Sequence, residues 1–386
     1  MRVRHIFIVS TPLQVLNARE ALDYYALDSD ECLMVLIDNH SPANSRQVRA
    51  VIKTQGWKNV EIYPEARRKI LARLRIANRS LLMRTFIRLA DKLTQRVIHT
   101  PIDTCLLGRR SARDVKQLAK RCAHFDIYFM GYYGSPIMRH FENCVRSERV
   151  ILLEEGSNQI NLYESVNGVA GEGKPMEYFL NPWANALRRL LFRVKLTPRF
   201  PLTFFTAYDL PATDRVVVDH NSYSVFRSEI IASEQIPEVY FLGEWLTQWK
   251  CLTDSEYVAY LGEVQKHYPD QRFVFVPHRR TPLHTQALIQ ERLGIEVRDL
   301  GGPVELVLAG MNQRPRTVAA FFSSGLCNVA MLYSGTIDVA AFRIPAVFPQ
   351  AHLDRFIRDF YKVCSSYFGD QISLISLCNV SGLNEK

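Results

Sequence analysis

The stretch His5-Ile-Phe-Ile-Val9-Ser10-Thr11-Pro12-Leu13-Gln14, close to the first residue, decides the class of fold. A short apolar, β-branched run predicts a buried strand, and Ser10-Thr11-Pro12 predicts a tight loop after it. Apolar residues then recur at roughly helical spacing, at Leu13, Leu16, Ala21 and Leu22. The stretch therefore predicts a strand, a loop and a helix in succession.

The same pattern recurs along the chain in two series. The first series contains strand-like runs at Cys32–Ile37, Val60–Tyr63, Asp126–Met130 and Val150–Leu153, and a helical segment at Arg46–Gln55. The second series comprises Glu238–Leu242, Asp254–His267 (helical), Arg272–Val276, Leu283–Leu293 (helical) and Thr317–Phe322. Alternating strands and helices predict parallel sheets with crossover helices, an α/β fold.

The two series predict two Rossmann-like domains, joined by a segment that contains Pro211 and Pro237 and has weak periodicity. We place the first domain at residues 1–210, a linker at 211–237 and the second domain at 238–386. Two such domains facing a central cleft form the arrangement called GT-B.

Composition narrows the class of protein further. The chain has 386 residues and a formal net charge of +9, an excess that favours anionic partners. No apolar run of about 18 residues and no signal peptide is visible, so we expect the protein in the cytoplasm. The eight cysteines form no C-x-x-C pair, and neither a metal site nor a disulfide framework is predicted.

The first motif with chemical potential is Val150-Ile-Leu-Leu-Glu154-Glu155-Gly156, in which an apolar strand leads into two adjacent carboxylates and a glycine. Carboxylates at the carboxyl end of a strand face the ligand crevice of an open α/β sheet. One of them can act as a general base while the other supports the loop, and the sequence does not choose between them. A solvated strand end is the alternative interpretation.

The second motif, Pro277-His278-Arg279-Arg280, follows the strand Arg272–Val276. Arginine offers forked donors and a histidinium adds charge, so the cluster is suited to a phosphate. The third motif, Ser323-Ser324-Gly325, follows Thr317–Phe322 and precedes a helix predicted to begin near Leu326. Hydroxyls and N–H groups at a helix N-terminus can bind an anion, although Ser323 could equally be an ordinary helix cap.

These three motifs, together with Ser10, Thr11 and Gln14 in the first loop, resemble those of the bacterial sialyltransferase and polysialyltransferase group. That group combines a D/E-D/E-G motif, an HP motif and a paired-Ser motif on a GT-B scaffold. Pro277 precedes His278 here, whereas the proline of the family follows its histidine.

The resemblance implies transfer of sialic acid, or a related acidic sugar, from a CMP-activated donor to a glycan or glycolipid acceptor. It implies that Glu154 or Glu155 is the base, with Gly156 completing the motif. His278 would meet the donor phosphate and act as an acid, and Ser323 and Ser324 would hold that phosphate. No metal or other cofactor is expected, and the product would belong to a capsule or a lipopolysaccharide-type surface glycan. A GT-B transferase that uses a different nucleotide sugar is the alternative.

Two further patterns compete with this interpretation. Asp28-Ser29-Asp30 matches the metal-binding D-x-D motif of another transferase class, but it precedes a strand instead of following one. The segment 168–175 imitates a phosphate-binding P-loop, but Pro175 stands where the Ser or Thr that binds Mg²⁺ is required.

Basic residues alternate with apolar ones in the segments 67–96 and 183–195, a pattern typical of basic amphipathic helices. Such helices predict peripheral contact with the anionic inner face of the cytoplasmic membrane, and a solvated helix face is the alternative. A nucleic-acid-binding protein could use the same stripes, but aromatic residues are sparse among the cations of the first segment, so we expect no nucleic-acid partner.

Overall fold

In a computed structural model, the chain divides into two compact units, Met1–Val225 and Phe226–Lys386. The structure describes residues 3–38, 42–64, 124–168, 193–230, 233–278, 280–345 and 351–379, and also positions 115, 117, 119, 120, 183, 185, 186, 189 and 190. Each unit is described by itself below.

The first unit is built on a seven-stranded sheet in which every described strand pairs in parallel with its neighbours. Its strands are β1 His5–Val9, β2 Cys32–Asp38, β3 Val60–Pro64, β4 His124–Met130, β5 Arg146–Leu153, β6 Leu202–Thr206 and β7 Val216–His220. Its helices are α1 Pro12–Tyr24, α2 Pro42–Thr54, α3 Pro136–Glu142 and α4 Ser157–Val166, and α5 Ser224–Glu229 contains the boundary between the units.

The strand order of this sheet is β3-β2-β1-β4-β5-β6-β7. The chain adds strands outward from β1 on one side, then returns to place β4 on the other side of β1. This is the order of a Rossmann-like sheet, with its switch point between β1 and β4. All five residues of β1 are buried, as in strands covered on both faces.

The second unit repeats the plan with a six-stranded parallel sheet in the order β10-β9-β8-β11-β12-β13. Its strands are β8 Glu234–Leu242, β9 Arg272–Val276, β10 Glu296–Val297, β11 Gln313–Ala320, β12 Asp338–Arg343 and β13 Ser373–Ser376. Its helices are α6 Asp254–Lys266, α7 Leu283–Leu293, α8 Val304–Ala309, α9 Ser324–Leu332 and α10 Ala351–Tyr367. The switch point here lies between β8 and β11.

Stacked aromatic side chains form part of each core. In the first unit the rings of Phe7 and Phe129, on adjacent strands, stack with centroids 4.1 Å apart. In the second unit Phe241 packs against Phe273 and Phe321. Burying one such side chain contributes about 1.5–3 kcal/mol, so these clusters hold the strands in register.

The predicted α/β fold with two Rossmann-like domains is confirmed, and two such domains in one chain are the domain composition of the GT-B class. The segment 211–237, predicted as a linker, contains regular secondary structure. It contains β7, α5 and the first residues of β8. The run Val216-Val-Val218 favours a strand despite the flanking prolines, and it pairs with β6 at the sheet edge. The boundary between the units falls within this segment.

Candidate functional site

The predicted residues of the first unit lie at the carboxyl ends of β1 and β5, the two strands on either side of β4, beside the switch point. Ligands of open α/β sheets bind outside this edge. Ser10 follows β1 directly, and Gln14 lies in the first turn of α1. Thr11 is the N-cap of that helix, and its hydroxyl accepts the Gln14 N–H at 3.4 Å. Its side chain therefore serves the helix.

Gln14 links the first loop to the carboxylate motif. The side chain is fully buried, and its Oε1 accepts the Ser10 N–H at 2.7 Å and the Ser10 hydroxyl at 3.1 Å. Because Oε1 is engaged in this way, the Nε2 group points to Glu155 and donates to its Oε1 at 3.1 Å. Residues 10, 14 and 155 thus form one hydrogen-bonded chain.

Gly131, directly after β4, makes room for this arrangement. A Cβ at that position would lie 2.4 Å from Oε1 of Gln14 and 2.9 Å from the carbonyl oxygen of Ile8. The second neighbour is backbone and cannot move aside. Gly131 was not among the residues predicted from the sequence, although a glycine at the end of a predicted strand signals close backbone approach.

Glu155 has the surroundings expected of a candidate general base. Part of the residue reaches solvent, but its Oε2 is buried and has no hydrogen-bond partner among the described residues. Burial raises the pKa of Glu155 to about 8, and the hydrogen bond from Gln14 opposes this rise. Glu155 lines a small depression together with Gly131, Tyr133 and Gln159. A carboxyl whose pKa lies near the working pH is suited to take up a proton.

Glu154, its neighbour, is held by three hydrogen-bond donors. It is fully buried, and its oxygens accept hydrogen bonds from the Thr206 hydroxyl (3.0 Å), the Ala207 N–H (2.7 Å) and the Tyr223 hydroxyl (2.9 Å). Burial raises the pKa of Glu154, and these three donors lower it again. Because its partners all belong to the protein, Glu154 fastens the end of β5 to the end of β6.

Gly156 sets the path of the chain after these two residues. Its φ of +58° and ψ of −146° lie in a region that only glycine adopts readily. This backbone turn leads directly into α4 at Ser157, and it lets Glu155 face the depression while Glu154 faces the protein interior.

In the second unit, Pro277 and His278 follow β9 directly. Nδ1 of His278 accepts the backbone N–H of Arg280 at 3.2 Å, so a neutral His278 ring carries its proton on Nε2. Arg280 is exposed, and Arg279 lies outside the described residues.

Ser323 and Ser324 lie at the start of α9, beyond the carboxyl end of β11. Ser323 is the N-cap residue, yet its side chain makes no capping hydrogen bond. Ser324 is exposed in the first turn. A Cβ at Gly325 would make contacts of 3.4 Å to neighbouring side-chain atoms, which sterics tolerate, so the structure does not require a glycine there.

Two residues that follow β8, the strand between β9 and β11, were not predicted from the sequence. Glu244 is buried and accepts the N–H groups of Phe321 and Phe322. Trp245 stacks against His278 and lies under the guanidinium of Arg280. A Gly-Glu-Trp sequence after a buried strand was the available signal.

The competing motifs take other roles or cannot be described. Asp28 accepts the Asp30 N–H in a short turn, and Asp30 pairs with Lys58, so both aspartates are engaged within the protein. Residues 169–175 of the P-loop-like segment and all of 67–96 lie outside the described residues. In the part of the chain that the structure describes, no helix is long and apolar enough to cross a membrane.

One group of described side chains has the spacing of metal ligands, namely His124, Asp126 and Glu148. It lies on the amino-terminal portions of β4 and β5, at the other end of the sheet from Glu155. Arg4 forms an ion pair with Asp126 at 2.5 Å, which gives this group a protein cation.

Comparisons with known proteins give similarity at the level of whole structures. The chain is similar to a UDP-GlcNAc 2-epimerase from Methanocaldococcus jannaschii, with 10% identity, a TM-score of 0.49 and coverage of 97% of this chain and 89% of that one. It is also similar to Arabidopsis thaliana UGT89C1 complexed with UDP-L-rhamnose, with 11% identity, a TM-score of 0.47 and coverage of 98% and 86%. No protein-family model and no curated protein matches. Since these TM-scores lie below 0.5, the fold assignment rests on the sheet topology itself.

Proposed function

We propose that this chain is a glycosyltransferase that moves a sugar from a nucleotide-activated donor to a hydroxyl of an acceptor, with Glu155 as the general base. The observation that carries the proposal is the state of Glu155. One carboxyl oxygen is held by Gln14, the other is buried without a hydrogen-bond partner among the described residues, and Glu155 follows a strand at the ligand-binding edge of its sheet.

Atoms and charges balance in the proposed transfer step. The Glu155 carboxylate takes the proton of the acceptor hydroxyl, and the acceptor oxygen forms a bond to the anomeric carbon of the donor sugar. The bond from that carbon to the phosphate oxygen breaks, and its electron pair leaves with the nucleotide. Negative charge grows on the phosphate, so donors placed near it stabilise the transition state.

The donor cluster, defined as Pro277–Arg280 with Ser323–Gly325, is proposed to supply those donors. His278 would offer Nε2–H, Arg280 a guanidinium, and Ser323 and Ser324 their hydroxyls and the N-terminus of α9. These groups recognise a phosphate, which CMP and UDP donors share.

The sugar and its nucleotide have two candidates. The motif resemblance favours a CMP-linked sialic acid or related acidic sugar. Two of the similar solved structures contain UDP-L-rhamnose or UDP-GlcNAc, so a UDP-activated sugar is the second candidate.

The test is a donor panel of CMP-sialic acid, UDP-N-acetylglucosamine, UDP-glucose and GDP-mannose, with mixed glycan acceptors and mass-spectrometric detection of products. We expect one donor class to release its nucleotide and to lengthen an acceptor. Glu155→Gln should lose about 10²-fold or more in turnover, whereas Glu148→Gln, at an exposed position on β5, should not. Isomerisation of a donor in the absence of acceptor would identify an epimerase, and no turnover with any donor would refute the proposal.

We further propose that the protein works in the cytoplasm, attached peripherally to the inner membrane, in the synthesis of a capsule or lipopolysaccharide-type glycan. The basic segments 67–96 and 183–195 support this, and within the second of them Trp183 and Leu190 are 82% and 76% exposed. Vesicles rich in phosphatidylserine should bind the protein at low salt and release it as salt rises. Equal binding to neutral vesicles would contradict the electrostatic attachment.

A further inference from the structure

The segment Gly243-Glu244-Trp245, directly after β8, contacts His278 and Arg280 of the donor cluster and the backbone of Phe321 and Phe322, the two residues before Ser323. Strand β8 lies between β9 and β11, so His278 and Ser323 emerge from strands about 10 Å apart. Side chains from two such strands can meet one phosphate only if each is held in a defined direction.

Glu244 holds the β11 side. Its Oε1 accepts the N–H of Phe321 at 2.8 Å and that of Phe322 at 3.2 Å, and its Oε2 accepts the Tyr257 hydroxyl at 3.1 Å. Phe321 and Phe322 directly precede Ser323. A buried carboxylate without donors is costly, and these bonds make it stable only when the turn has this one geometry.

Trp245 holds the β9 side. Its ring is nearly parallel to that of His278, with an interplanar angle of 17° and centroids 5.5 Å apart. The guanidinium carbon of Arg280 lies 4.3 Å from the centroid of the Trp245 ring, in cation–π contact. The side chains of His278 and Arg280 therefore both contact the indole of Trp245.

Gly243 allows this path of the chain, because a Cβ there would lie 2.5 Å from the ring of Phe275 on β9. The backbone after β8 consequently runs close against β9, which brings Trp245 within reach of His278.

We propose that Glu244 and Trp245 are positioning residues for the donor phosphate. Glu244 fixes the turn that presents Ser323 and Ser324, and Trp245 fixes His278 and Arg280. The inference rests on the proposed function, since it takes the ligand of the donor cluster to be a phosphate.

The experiment measures binding of CMP, UDP and inorganic pyrophosphate by calorimetry in two matched pairs of variants. Trp245→Leu should weaken binding by roughly 3- to 30-fold, the worth of one cation–π contact, while Trp245→Phe keeps an aromatic face and most of the affinity. Glu244→Leu should weaken binding as well. Glu244→Gln should bind about as tightly as the wild type, because its amide oxygen can still accept the N–H groups of Phe321 and Phe322. In turnover assays the KM for the donor should rise and the KM for the acceptor should stay constant.

Tyr257→Phe is the control, since it removes one bond to Glu244 but leaves those to Phe321 and Phe322. It should lower stability and keep affinity within about threefold. If Glu244→Leu does not fold, the Trp245 pair decides the outcome. If Trp245→Leu folds and binds the anions as tightly as the wild type does, this inference is overturned and the proposed function still stands. A wild-type protein that binds none of the three anions would refute both.

Discussion

Replacing Gln14 by methionine should change the pH dependence of sugar transfer without changing its limiting rate. Methionine has a similar length and no amide, so it removes the only described hydrogen bond to Glu155 Oε1. A base acts in its ionised form, and the bond from Gln14 stabilises that form. Loss of the bond therefore raises the pKa of Glu155 further, and the acid limb of the rate profile moves to higher pH.

The size of the effect follows from the geometry. A hydrogen bond to a charged group contributes about 1.5–3 kcal/mol, and about 1.4 kcal/mol corresponds to one pH unit. With a pKa of about 8, roughly a tenth of Glu155 is ionised at pH 7 in the wild type. The variant should have its acid limb about one to two pH units higher, which lowers kcat/KM at pH 7 by about 10- to 100-fold.

The assay is kcat/KM between about pH 3.5 and about pH 10, for the wild type, Gln14→Met and Ser10→Ala. Ser10→Ala removes one hydroxyl donor to Gln14 but keeps the backbone N–H, so its limb should coincide with that of the wild type. A Gln14→Met profile with an unmoved limb and a lower plateau would refute the coupling between Gln14 and Glu155. A wild-type limb near 4.5 would show that burial does not raise this pKa.

Four further outcomes are expected. The pKa of Glu155 is raised from 4.5 to about 8, so between these pH values the folded state keeps a proton that the unfolded chain loses. The free energy of unfolding therefore falls as pH rises through this window. In urea unfolding, Glu155→Gln should raise the free energy of unfolding by about 2–4 kcal/mol near pH 8.5 and leave it unchanged near pH 4.5. Glu154→Gln should cost about 1–3 kcal/mol in the same measurement while the acid limb of the rate profile stays in place, and a lost limb would exchange the roles of the two residues. Gly131→Ala should displace Gln14 and reproduce the shifted limb of Gln14→Met, with a circular dichroism spectrum like that of the wild type. Transfer should persist in excess EDTA, and recovery of lost activity by Mn²⁺ would contradict a metal-independent mechanism.

The fold was predictable because its signals are local. Continuous apolar runs mark the strands, and the predicted helix Leu283–Leu293 agrees with the structure at both ends. Strand β5 was predicted from Val150 but begins at Arg146, because its exposed first half has no apolar run. The prolines near residues 211 and 237 concealed β7, whose pairing with β6 is a long-range contact that composition does not report.

The sequence provides candidate residues for the site but not the environment of each one. Sequence places Glu154 and Glu155 side by side, and nothing local distinguishes them. The distinction arises from Thr206, at the end of β6, and Tyr223, in the loop after β7, whose hydroxyls donate to Glu154. Gln14 is 141 positions from Glu155, so their hydrogen bond was visible only after folding.

The two units share one structural arrangement at the end of a strand. In each, a buried glutamate follows a strand and accepts backbone N–H groups from the end of a neighbouring strand, Glu154 from Ala207 and Glu244 from Phe321. Burial raises the pKa of both, so each bears a desolvation penalty that the donors offset only in the observed geometry. The residue after the first glutamate, Glu155, is a predicted site residue, and the residue after the second, Trp245, contacts His278 and Arg280. A strand end tied down by one side chain holds the next side chain to a narrow range of directions. Proton transfer and phosphate binding both depend on such fixed directions, because misplacement by about 1 Å can cost 10²-fold in rate.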